Sequence, residues 1–174
     1  MYKLESLQDL LKRCLPKQFK ENPQNLIVQV VDGRVVAGFG DNLSFEYRYT
    51  VQITVCDWPK NVHVDAIFVP LIAWLMVHQS DLLDNNTKRE NALPFWVNPL
   101  TPDSSDFGID IPLRETVIVK EDPKHATRFI CEHKKEPCHV STPCIAEHWE
   151  LWLEEEKLGE WDIPRPDRIN RFGL

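Results

Sequence analysis

The residues best suited to chemistry lie in one short segment: Cys131, His133, Cys138, His139, Cys144 and His148. Thiolate and imidazole are the ligands that zinc prefers, and four of them close a tetrahedral site. The spacing, C-x-H-x4-C-H-x4-C-x3-H, does not reproduce a paired CxxC. The segment is too poor in apolar residues to fold by itself, so a metal would act as its staple. Cys131, His133, Cys138, Cys144 and His148 are therefore the candidate zinc ligands, and a zinc-binding interaction module is one functional class to weigh. The plainer reading is an irregular loop with free thiols and exposed histidines.

Catalytic constellations are weaker. His63 and Asp65 stand two apart at a helix start, a spacing that does not bring side chains together. His78 falls near a helix end, where the C-terminal dipole would favour its charged form. Asp103 and Asp106 flank serines in a turn, where local backbone hydrogen bonds account for them. GRVVAGFG lacks both the glycine spacing and the trailing helix of a phosphate-binding loop. No catalytic residue is assigned, and the expectation is a non-enzymatic protein.

Composition narrows the class further. The chain has 174 residues, 43% hydrophobic and 27% charged, which suffices for one domain with a core and extensions. A net charge of −7 argues against binding nucleic acid by phosphate neutralisation. No apolar run approaches a membrane span. The start MYKLESLQDLLKRC carries acids and amphipathic spacing and does not read as a secretory signal. Five cysteines without a short secreted framework suggest a reducing compartment.

The element that organises the chain is LSFEYRYTVQITVCDW, residues 43–58. Phe45, Tyr47, Tyr49, Val51, Ile53 and Val55 alternate with Glu46, Arg48, Thr50, Gln52 and Thr54. Alternate side chains of a strand face opposite ways, so this is a long strand with one apolar and one polar face. A cover follows in VHVDAIFVPLIAWLMVHQSDLL, where Val64, Ile67, Phe68, Leu71, Ile72 and Leu75 share a helical stripe. Residues 4–15 predict a shorter amphipathic helix. Asp32-Gly33, between two β-branched runs, predicts a hairpin of residues 26–31 and 34–39. Residues 107–119 predict a further strand, in which Pro112 must turn its donor-less side outward or the strand must lie at an edge. Together these predict an α/β (α+β) fold: a mixed or antiparallel sheet packed by an N-terminal and a central amphipathic helix, with a C-terminal hairpin or arm. The expected divisions are a core over 1–119, a linker with the Cys/His set over 120–147, and an arm over 148–174.

Tryptophan is frequent, at six residues. Tryptophans anchor interfaces, so Trp74, Trp149, Trp152 and Trp161 are interface candidates, with Glu46 and Arg48 on the polar strand face. Residues 148–162 are expected to pack on a neighbouring subunit.

The order of SFEYRYT, VPLIAWL, DFGIDIPLRETVIV and ELWLEEEKLGEW resembles the tail completion protein R (GpR) family of contractile-tailed temperate phages of the peduovirus group. The resemblance spans residues 1–119 and resumes at 149–162. Its most specific part is SFEYRYT with the downstream VPLIAWL. Where the family tends to carry a Gly-containing turn in the C-terminal hairpin, this chain has Glu154, Glu155 and Glu156. The resemblance implies a virion protein that acts like a tail terminator. It would cap the tube and sheath at the head-proximal end and offer a surface to the head connector, commonly as a six-fold ring. It implies no catalytic residues and no cofactor.

Overall fold

The computed structural model describes residues 1–15, 21–38, 43–136 and 148–162. The alternating segment is strand β2, Phe45–Pro59. Val51, Ile53 and Val55 are wholly buried on its apolar face and Tyr49 nearly so. On one side β2 pairs with β1, Leu26–Ala37, and on the other with β4, Ser104–Asp122. β3, Phe95–Pro99, and β5, His125–His133, both pair with the far side of β4. The strand order is β1-β2-β4-β3, with β5 beside β4. Every pairing is antiparallel, so the fold is α+β on an antiparallel sheet. Ile53 stands between Val28 and Ile109, and Val51 between Val30 and Ile111, which makes the apolar face continuous across strands.

Two helices cover that face. α1, Tyr2–Cys14, buries Leu7, Leu10, Leu11 and Cys14. α2, Asp65–His78, buries Ala66, Ile67, Pro70, Leu71, Trp74 and Leu75. Each leucine or isoleucine so buried contributes about 1.5–3 kcal/mol. The buried face is rotated from the stripe expected for α2, because Val64 and Ile72 are exposed. Nothing from Ala66 to Val77 is charged. A helix apolar all round leaves its own rotation unspecified, and the neighbouring elements set it.

The expected hairpin at Asp32-Gly33 is not formed. β1 runs through the dipeptide as one strand, and its register slips by one residue between Val30 and Asp32. Gly33 is not in the left-handed region that a type I′ turn requires. Its role is close approach: a Cβ there would lie 3.2 Å from Tyr49 Cβ on the paired strand. The extra residue is a bulge, which a strand pair accommodates by local twist.

Pro112 sits in the gap that β3 and β5 leave along the far side of β4. There Gln79 replaces a strand: its Nε2 donates to the Pro112 carbonyl at 3.4 Å, and its Oε1 accepts from the Arg114 N–H at 3.0 Å. The proline thus lies at a local edge, as its missing donor requires. Gln79 leads into two short helices, α3, Asp81–Asp84, and α4, Asn86–Arg89.

Residue 120 does not begin an irregular stretch. β4 continues to Asp122, and β5 returns along it with Val119 opposite Cys131. The β5 residues Thr127–Glu132 are exposed, so no buried face imposes an alternating pattern on this hairpin. The last hairpin, β6, His148–Leu153, and β7, Glu156–Asp162, forms a separate two-stranded sheet. It packs on the chain's own helices. Trp161 is 3% exposed within the main core, and Trp149 and Leu151 lie against that core.

Candidate assembly surface

The sheet has two unlike free edges. β1 pairs only with β2, which leaves a 12-residue outer edge of backbone donors and acceptors. Soluble proteins blunt such edges with lysine, proline or cover. β1 has neither residue; it carries only its bulge and the charged Asp32 and Arg34, and Ile27, Val31, Val35 and Val36 are exposed along it, Val35 to 60%. At the opposite edge β3 is exposed throughout, with Phe95, Trp96 and Val97 in succession and Leu100 just beyond. The Phe95 ring meets Phe68 of α2 at 5.5 Å, so this patch continues towards Val69 and Ile72 on the outward side of the helix. Large apolar surface of this kind marks an interaction site. The β3 patch has a signal in sequence, since three consecutive apolar residues in a strand must place some outward. The β1 edge had none while Asp32-Gly33 read as a turn.

The sequence-nominated residues divide. Trp74 is 4% exposed: its Nε1–H donates to Ser6 Oγ at 3.0 Å and its ring stacks on His78 at 4.6 Å. Trp161 is likewise buried, and Trp149 stacks on it at 6.4 Å. Their surface is spent inside the chain. Trp152 is the exposed member of the set, at 51%, with its Nε1–H on Glu150. Glu46 and Arg48 lie on the sheet face away from the helices and pair with each other.

Of the zinc candidates, Cys138 and Cys144 lie outside the described residues. Cys131 is exposed on β5. His133 shares its strand face but turns inward, with its ring against Tyr2 and Nδ1 3.3 Å from a Glu115 carboxylate oxygen, without a hydrogen bond to it. His148 belongs to the last hairpin, beside Glu150 and Glu160. The Lys157 ammonium already lies between those two carboxylates, at 2.5 and 2.7 Å.

A polar network that sequence reading missed joins α1 to the sheet. The buried Glu115 carboxylate accepts from the backbone N–H groups of Tyr2 and Lys3, at 3.1 and 3.2 Å, and from the Tyr49 hydroxyl. It supplies the cap that α1 lacks, since Met1 makes no side-chain cap, and puts negative charge at the helix N-terminus. Burial, reinforced by this carboxylate, raises the Tyr49 pKa. Lys3 is buried too, with its ammonium 3.0 Å from both Gln79 Oε1 and Glu136 Oε1. Burial lowers the Lys3 pKa, against the opposing pull of Glu136.

His78 reverses the dipole expectation. Burial, and secondarily the Lys3 charge, lowers its pKa to about 4. The folded protein keeps the ring neutral, while the unfolded chain takes up a proton below the ordinary value of 6.5. Stability is therefore complete above that value and is lost as pH falls towards about 4. The full linkage is about 3 kcal/mol, and screening at a partly exposed ring reduces the expected loss to about 2 kcal/mol. Urea titrations across this window should show His78→Phe flattening the slope by that amount.

The described helices include none long and apolar enough to cross a membrane. Residues 1–137 match the family described as P2 phage tail completion protein R (GpR). A relative in Escherichia phage P2, described as "Tail completion protein R", is 29% identical over 158 residues, covering 88% of this chain and 97% of its own. No solved structure matches at a significant level. With the family match covering most of its length, the chain belongs to the P2 phage tail completion protein R (GpR) family.

Proposed function

We propose that this chain is a structural virion protein that completes a contractile phage tail. It caps the head-proximal end of the tail tube and sheath as a closed ring of its own copies, six by the resemblance, and offers the head connector a docking surface. It is assembled in the cytoplasm of the bacterial host. Its partners are its own copies and the tube, sheath and connector proteins, with no membrane and no sequence-specific nucleic acid. No catalytic step is assigned to it.

The observation that carries the ring is the pair of unlike apolar surfaces at opposite edges of one sheet. A ring is a heterologous assembly, in which each subunit gives one surface and receives on another. The β1 edge and the β3 edge with the outward side of α2 are such a pair. The relative's printed description supplies the tail.

Native mass spectrometry tests the assembly. The unmodified chain should give one closed oligomer. Val35→Asp and Val97→Asp, one on each edge and both already exposed, should each yield folded monomers, with affinity down at least about tenfold. A monomeric wild type, or an oligomer indifferent to both changes, contradicts the ring.

A further inference from the structure

On the sheet face away from α1 and α2, three arginines stand in one row. Arg34 of β1 is directly opposite Arg48 of β2, and Arg48 directly opposite Arg114 of β4. Like charges directly opposed across strands are destabilising, so this row asks for a counter-charge. Arg48 has Glu46, and Arg114 shares Asp81 with Lys88. Arg34 has no ion-pair partner among the described residues. The row forms one wall of a groove of about 500 Å³, closed on its other side by the segment from Gln79 to Asn91. Arg34, Arg48, Lys88 and Arg114 line it against only Asp32 and Asp81. A cationic groove is a local inversion on a chain of net charge −7.

The same chain displays the complementary group. Glu154 and Glu155 form the turn between β6 and β7, Glu156 opens β7 beside it, and all three are exposed. None of their side chains has a hydrogen-bond or ion-pair partner among the described residues. The hairpin packs on the helix layer, through Gly159 near the Cys14 carbonyl and Trp161 in the core. The hairpin is therefore on the helix side of the sheet and the groove on the other, so one molecule presents both halves on different faces.

We propose that the arginine groove receives the Glu154-Glu155-Glu156 turn of a second copy. The contact runs head to tail, as ring closure requires, and it rests on the ring reading above. Matching charges of this kind fix register and partner choice. Arginine suits the task because its fork pairs a carboxylate through two donors.

Sedimentation velocity on the full chain tests it by charge exchange. Arg34→Glu with Arg48→Glu should weaken assembly by about tenfold or more, and Glu154→Lys with Glu155→Lys and Glu156→Lys likewise. Joining both sets in one chain should restore assembly. Circular dichroism melts check folding, and Arg34→Ala and Glu155→Ala provide milder changes of the same sign. If either reversed chain assembles like wild type, or the joined chain does no better than its parents, the contact is wrong while the ring stands. A wild type that stays monomeric overturns both. Short duplex DNA bound by wild type and lost on Arg34→Glu, with assembly unchanged, would overturn the contact in favour of a phosphate ligand.

Discussion

Glu115→Ala is expected to destabilise the protein by about 3–5 kcal/mol, the range for breaking a buried charged network by removing one member. The carboxylate is 4% exposed and accepts from Tyr2 N–H, Lys3 N–H and the Tyr49 hydroxyl. Its removal leaves the buried Lys3 N–H and Tyr49 hydroxyl, and the partly buried Tyr2 N–H, without that acceptor, at about 1–3 kcal/mol for each fully buried group. It also removes the buried carboxylate at the N-terminus of α1, a helix that holds down the β6–β7 hairpin. Glu115→Gln keeps an acceptor oxygen and should lose about half as much, since hydrogen bonds to a charged group are roughly twice as strong. Guanidinium unfolding of the three proteins reads the difference. A Glu115→Gln variant as stable as the wild type would mean that shape, and not charge, holds α1.

Trp161→Ala should cost about 3–5 kcal/mol, as for other buried aromatic truncations. Trp161 lies at 3% exposure in the same core as Leu7 and Leu71, far from them in sequence. The number decides how the C-terminal segment is built. If residues 148–162 were an arm reserved for a neighbour, truncating Trp161 would leave the melting of the remaining chain unchanged. Packing on the chain's own α1 predicts that one cooperative transition shifts down as a whole. Two separated transitions would contradict that packing.

The sequence made β2 legible because one of its faces is buried along most of its length, so period-2 alternation survives intact. Pro112 likewise announced its open edge, because a missing donor has few tolerated places. The features that escaped share one cause: their residues are chosen for contacts distant in the chain. Gly33 is small because of Tyr49 on the next strand, not because of a turn. Trp74 is buried by Ser6 and α1, which a stripe drawn on α2 alone cannot show. β5 carries no period since neither face of it needs one. Glu115 looked like one more polar residue on an alternating strand, and nothing local marks it as the cap of a helix more than a hundred residues earlier. The assembly surface was half legible. Glu46 and Arg48 were placed on the outward face from alternation alone, but the row with Arg34 and Arg114 appears only with the register.

The proposed role is positional: a cap at one end of a phage tail. Immunogold labelling of the protein on assembled particles, viewed by electron microscopy, tests it most directly. A cap should give label confined to the head-proximal end of finished tails. Label along the tail length, at the distal end, or absent from particles would contradict it.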